Sequence, residues 1–214
     1  MKPVELIIFD LDGTIIDSKL DLANSVNFTL KRLGKPEKDV EFIAKFIGRG
    51  LSNFIKNTLG DACSDNMDEV REIFMKHYEE HLLDNTVLYP NVEKTLRHFS
   101  NKKKVILTNK RTFMTNMILE GLGIRNYFDK VIGAGDLPEN KPSPLPVNTL
   151  LEMFNVEKDK TIILGDMTID IETGRNAGIE ICSVTYGLCS RADLVSARPD
   201  YIIDDMFELT KIIE

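Results

Sequence analysis

Asp10 and Asp12 stand one residue apart directly after the apolar run Leu6-Ile7-Ile8-Phe9, and Gly13 and Thr14 follow them. An extended chain points both carboxylates to the same side, and Gly13 lets the backbone leave the strand direction. Four large apolar residues in a row fit a strand buried on both faces, at the centre of a parallel sheet. Open α/β sheets bind their ligands beyond the carboxyl ends of such strands. Two more apolar runs end in the same way. Val105-Ile106-Leu107 leads into Thr108-Asn109, and Thr161-Ile162-Ile163-Leu164 leads into Gly165-Asp166, with Asp170 four residues later. Lys141 comes from a loop, Lys141-Pro142-Ser143-Pro144. Strands of a parallel sheet share one direction, so carboxylates, a hydroxyl, an amide and an ammonium would gather on one edge. Each has a plainer reading by itself: an Asp-Gly turn, acids drawn to a helix start by its dipole, an exposed loop lysine. Their joint occurrence favours a ligand site.

The elements that must hold these groups alternate in type. From about Pro90 onward, helical spacing over Val92, Leu96 and Phe99 precedes the Val105 strand. Phe113 to Leu122 then reads as a helix before a short strand at Val131-Ile132. Val147 to Phe154 and Ile169 to Ala177 are helical, and Ile181–Val184 and Tyr201–Ile203 are strands. Alternation of this kind predicts a doubly wound parallel sheet with a Rossmann-like core. The stretch between the first strand and Asp84 differs. Leu22, Val26, Leu30 and Leu33 recur at helical spacing, as do Val40 to Ile47, Leu51 to Leu59 and Asn66 to Leu83. No strand pattern lies between Asp17 and Asp84. The expected organisation is a core of residues 1–16 and 85–214, with an all-helical cap of residues 17–84 inserted into it.

Composition narrows the function. Of the 214 residues, 43% are hydrophobic and 29% charged, as in an ordinary soluble globular chain. The net charge of −7 argues against nucleic acid or an anionic membrane as partner. The basic run Lys102-Lys103-Lys104 reads as a solvated approach to the strand after it. Cys63, Cys182 and Cys189 are too scattered for a disulfide framework or a metal cluster. With no signal-type segment and no span of ~20 apolar residues, a cytoplasmic setting is expected. Monomer and homodimer both fit the sequence.

Asp10-Leu11-Asp12-Gly13-Thr14, Thr108-Asn109, Lys141 and Asp166 with Asp170 resemble, in order and spacing, the four motifs of the haloacid dehalogenase-like hydrolases. The resemblance spans the whole chain. It implies that Asp10 attacks phosphorus to form an aspartyl-phosphate, and that Asp12 protonates the leaving oxygen and then activates water. It implies further that Thr108 and the backbone amide of Asn109 hold the phosphoryl oxygens and that Lys141 balances charge. Asp166 would bind Mg2+ with Asp10 and the Asp12 carbonyl, and Asp170 would support the ion. The chemistry needs such residues. A carboxylate nucleophile and a phosphate dianion repel, so cations must offset their charge. Magnesium takes oxygen ligands, and a covalent intermediate divides one hard transfer into two easier ones.

Within the family, Asp12 argues against the dehalogenase branch. The segment after Ser18 lacks the Thr and His usual in the mutases. Asp10 to Leu33, Ile47 to Leu51 and Arg198 to Asp204 look most like the phosphoglycolate phosphatase branch. The expected reaction is therefore magnesium-dependent hydrolysis of a small phosphorylated metabolite, foremost 2-phosphoglycolate. A nucleotide, sugar phosphate or pyrophosphate is the alternative substrate, a phosphomutase the alternative activity, and a non-catalytic phospholigand module the reading outside enzymology. Arg49, between Gly48 and Gly50, is expected to meet a second anionic group of the substrate. Met167 and Ser143 depart from the family's usual small hydroxyl residue and His.

Overall fold

The computed structural model of the chain describes residues 1–60 and 66–214, so Cys63 lies outside the described residues. The main sheet has six parallel strands. In chain order they are β1 (Leu6–Phe9), β4 (Lys103–Leu107), β5 (Lys130–Ile132), β6 (Thr161–Gly165), β7 (Glu180–Val184) and β8 (Tyr201–Ile203). Their spatial order is β5-β4-β1-β6-β7-β8, so β1 is central. All four β1 residues are buried. Ile7 and Phe9 pack with Ile106, Ile162 and Leu164 on one face, and Leu6 and Ile8 with Val105, Leu107 and Ile163 on the other. Each such side chain stabilises the fold by roughly 1.5–3 kcal/mol. That burial forces the polar residues after each strand out to the sheet edge, since Asp10 has no place in either apolar layer.

Helices cover both faces, as alternating strands and helices require. α5 (Val92–His98) and α6 (Thr112–Gly121) join the layer of Phe9, whereas α7 (Leu145–Phe154), α8 (Thr168–Ala177) and α9 (Arg191–Ala197) join the layer of Ile8. Register then aligns the functional ends. Phe9 pairs with Ile106 on one side and Leu164 on the other, so Thr108 and Asp166 each stand one residue beyond the level of Asp10.

Between Asp17 and Val87 the described residues make four helices: α1 (Lys19–Arg32), α2 (Val40–Ala44), α3 (Leu51–Leu59) and α4 (Met67–Glu80). They enter and leave through a small antiparallel ribbon that the sequence pattern does not reveal. β2 (Ile16–Asp17) pairs with β3 (Val87–Leu88), and two-residue strands are too short to show a period. Next to it, the buried Asp21 carboxylate accepts from Asn85 N at 3.0 Å, Asn85 Nδ2 at 2.8 Å, Thr86 N at 2.8 Å and Thr86 Oγ1 at 2.7 Å. One side chain thus ties the start of α1 to the segment's exit.

The reading of Lys102 to Lys104 as solvated needs correction. Lys104 is buried, and its Nζ donates to Phe99 O at 2.6 Å and Lys102 O at 2.9 Å. A long aliphatic stem can lie along apolar surface while its head finds carbonyls, and burial lowers the proton affinity of this amine. Among the described residues no helix is long and apolar enough to cross a membrane.

Candidate active site

The loop after β1 delivers Asp10 into a buried cluster. Lys141 Nζ lies 2.8 Å from Asp10 Oδ1 and 2.6 Å from Asp170 Oδ1, so one ammonium bridges two carboxylates. Asp166 follows β6 and is held by Thr14 Oγ1 at 3.0 Å and Leu188 N at 2.7 Å. Asp170 accepts Met167 N at 3.1 Å through its second oxygen. It therefore caps α8, as an acid at a helix start should, while its first oxygen meets Lys141. Gly13 makes this packing possible. Its φ is +89°, and a Cβ there would come within 2.2 Å of Asp166 Oδ2.

Crowding shows in proton affinity. Burial pushes Asp10 up to about 7; Lys141 works against that rise and Asp170 adds to it. Asp166 is raised well above the usual carboxylate range by burial and by the charges of Asp10 and Asp170. Burial opposes the charge on Lys141, but Asp10 and Asp170 outweigh it and hold the ammonium charged. When ionised, three carboxylates face one ammonium, an excess of two negative charges. Oxygens of Asp10, Asp166 and Asp170 lie within 4.8 Å of one another, all buried. An all-oxygen donor set with that charge deficit fits a hard divalent cation.

Asp12 occupies a separate position. Its Oδ1 accepts from Ser18 Oγ at 2.5 Å and from Lys110 Nζ at 2.6 Å. Lys110 Nζ also lies 2.6 Å from Tyr78 Oη on α4. Burial weakens the charged form of Lys110, yet Asp12 and Tyr78 more than restore it. The Tyr78 phenol is pushed up to about 12, chiefly by burial. Thr108 Oγ1 accepts Lys110 N at 3.2 Å. Asn109 Nδ2 donates to Gly48 O at 3.1 Å and Lys141 O at 3.3 Å, while its Oδ1 is buried without a partner. Asn109 therefore stitches the helical segment to the sheet edge, a role the sequence does not announce.

Asp10, Asp12, Thr108, Asn109 and Lys110 line a cavity of about 60 Å³ closed by Leu22, Ile47, Phe54 and Phe74 of the helical segment. Gly48 and Gly50 also line it, but Arg49 does not. Arg49 is exposed and borders a neighbouring depression with Met167 and Thr168. The loop is turned by positive φ at both glycines, and a Cβ on Gly48 would come within 2.4 Å of Met167 Sδ. Met167 is thus the buried platform beneath the loop, which explains a large residue there. Ser143 accepts Leu145 N at the start of α7.

The sequence reading missed Lys110, Ser18, Thr14 and Tyr78. Lys110 carried a signal, since it directly follows Thr108-Asn109. Tyr78 carried none, because helical spacing does not say which face meets a cleft.

A parallel α/β sheet whose edge gathers these carboxylates around one lysine defines a class. The chain belongs to the haloacid dehalogenase-like hydrolase family, whose profile matches residues 7–184. Within that family it is similar to the phosphoglycolate phosphatase of Aquifex aeolicus, 35% identical over 99% of this chain and 97% of that protein. It is also similar to the phosphoglycolate phosphatase of Haemophilus influenzae, 33% identical over 98% of each. The crystal structure of a predicted phosphoglycolate phosphatase from Haemophilus somnus superposes with a TM-score of 0.91 at 31% identity over 99% of both chains. A haloacid dehalogenase-like family protein from Streptococcus pneumoniae gives 0.88 at 28% identity, again over 99% of both. Family and relatives make the chain an enzyme, a hydrolase of phosphoric monoesters.

Proposed function

We propose that the protein is a magnesium-dependent phosphatase of a small phosphate monoester, foremost 2-phosphoglycolate, working through an aspartyl-phosphate on Asp10. The observation that carries this reading is the bridging of Asp10 and Asp170 by Lys141 beside Asp166, with Asp12 set apart and facing the same cavity. Asp10 supplies the nucleophilic oxygen. The bond to the leaving oxygen breaks as the new P–O bond forms, and Asp12 gives that oxygen a proton. A water then loses its proton to Asp12 and attacks phosphorus, which frees Asp10 and orthophosphate. Thr108 and the backbone amide of Asn109 hold the phosphoryl oxygens, and Lys141 offsets charge at the point of attack. Asp10, the Asp12 carbonyl and Asp166 would hold Mg2+, with Asp170 in support. Bound there, the ion supplies positive charge to the phosphoryl group.

The division into a core of residues 1–16 and 85–214 and a cap of residues 17–84 belongs to the same proposal. The cap acts as a lid that excludes water and limits substrate size. The apolar wall that Leu22, Ile47, Phe54 and Phe74 set over the cavity favours a compact substrate. The similarity to phosphoglycolate phosphatases over nearly all of both chains supports the choice of ester. The test is phosphate release from a panel of small esters, nucleotides, sugar phosphates and pyrophosphate, with magnesium and with chelator. Turnover of 2-phosphoglycolate should exceed that of the nucleotides and vanish on chelation. Activity indifferent to chelator, or a nucleotide as best substrate, would contradict the proposal.

A further inference from the structure

The leaving group must emerge beside Asp12, because that carboxylate hands it a proton. The cation nearest that point is Lys110. Its Nζ lies 2.6 Å from Asp12 Oδ1 and faces the cavity, with only 7% of the side chain accessible. An ammonium has three N–H donors. Asp12 takes one and Tyr78 Oη engages a second, so one remains for a ligand. The rest of the cavity wall from the helical segment is apolar, formed by Leu22, Ile47, Phe54 and Phe74. An anionic leaving group would therefore find one buried cation, placed within a few ångströms of its ester oxygen.

Resting on the phosphatase reading above, we infer that Lys110 is the specificity-determining residue. It binds a carboxylate one carbon away from the ester oxygen, and Tyr78 of the helical segment holds it in place. The substrate class is then a phosphate ester of a 2-hydroxy acid. Two other cations are nearby and differ in kind. Arg49 is exposed and borders a separate depression. Arg111 reaches the cavity rim, but it is exposed at the start of α6. A solvated guanidinium discriminates less than a desolvated ammonium, because water competes for its hydrogen bonds. Lys141 is already shared between Asp10 and Asp170 and lies where the phosphoryl group is attacked.

The experiment compares 2-phosphoglycolate with its carboxamide, which keeps shape and loses charge, and uses an aryl phosphate as a reference. The wild-type enzyme should prefer the carboxylate by at least about tenfold in kcat/KM. Lys110→Met removes a partner of Asp12 and should slow both esters, but it should cost the carboxylate about 10- to 100-fold more than the amide, largely in KM, so the preference collapses. Lys110→Arg should keep a preference, and Tyr78→Phe should weaken it in part. Arg49→Ala and Arg111→Ala should leave it intact. Equal losses on both esters in Lys110→Met would overturn the inference, since Lys110 would then act only through Asp12. A wild-type enzyme that hydrolyses both esters equally would overturn it while leaving the phosphatase reading in place. Hydrolysis of none of the three compounds would overturn both. If Lys110→Met does not fold, the wild-type ratio and the two arginine variants decide the matter: loss of the preference in either variant overturns the assignment to Lys110.

Discussion

The sheet edge and the helical segment solve different problems with different materials. At the edge, Asp10, Asp166, Asp170 and Lys141 are all buried, and each is held by at least one partner at hydrogen-bond distance. The helical segment brings apolar side chains, the Tyr78 hydroxyl and the Gly48 carbonyl. One region concentrates charge where charge must move, and the other supplies a dry wall that strengthens every electrostatic interaction facing it. Chemistry should therefore fail when the edge is altered, whereas selectivity and closure should change when the helices are.

The sharpest break in that contrast is Asp10→Asn, which keeps the shape and removes the nucleophile. Turnover should fall at least about 10³-fold with the fold intact, as judged by steady-state kinetics beside circular dichroism. Asp12→Asn is expected next. An alkyl ester, whose leaving oxygen needs a proton, should lose roughly 10²-fold or more. In kcat/KM, which reports formation of the phosphoenzyme, an aryl phosphate should lose far less, because its leaving group departs without a proton; the later attack of water, which also uses Asp12, slows for both. Equal losses in kcat/KM on the two ester types would remove the general-acid role from Asp12.

On the helical side, Asp21→Ala tests the tie between the start of α1 and the segment's exit. It strips the acceptor from four donors of Asn85 and Thr86. The donors of exposed Asn85 can turn to water, but the two buried donors of Thr86 left unsatisfied should cost about 3 kcal/mol, a fall in Tm of roughly 6–12 °C for a chain of this size. A Tm unchanged in Asp21→Ala would mean that the ribbon alone holds the segment's exit.

The smallest expected effect concerns pH. Asp10 is pushed up to about 7, and Asp166 is raised as well, both mainly by burial. A carboxyl group whose folded value lies above its unfolded value favours folding at low pH, and that contribution is lost as pH rises through the folded value. Metal-free protein should therefore lose stability as pH rises from about 4 through about 7. Magnesium should counter the loss, raising Tm by about 5 °C or more at pH 8 and hardly at all at pH 5. A shift independent of pH would place the ion away from this cluster.

The same contrast sets what the sequence makes legible. A strand buried on both faces must expel its polar neighbours at its end, so Asp10, Thr108 and Asp166 announce themselves by following apolar runs. Strand order and register then bring them together without further instruction. The helical segment's contributions have no such mark. Tyr78 belongs to the same helical stripe as Val70 and Phe74, and nothing in that spacing separates a core aromatic from one whose hydroxyl meets Lys110. Arg49 illustrates the reverse case. Its paired glycines do bring backbone to the cavity, but the bend they impose leaves the guanidinium outside it. Two-residue strands such as β2 and β3 are fixed by tertiary contacts alone, so the ribbon they form leaves no local trace.

Asp10 is expected to carry the phosphoryl group between the two steps, and that group can be caught. Acid quench of Asp12→Asn during turnover of an aryl phosphate with magnesium, followed by proteolysis and mass mapping, should find one phosphoryl group on the peptide bearing Asp10. It should be lost on treatment with hydroxylamine and absent in Asp10→Asn. Phosphate released by either protein at an undiminished rate with no label on Asp10 would contradict the account.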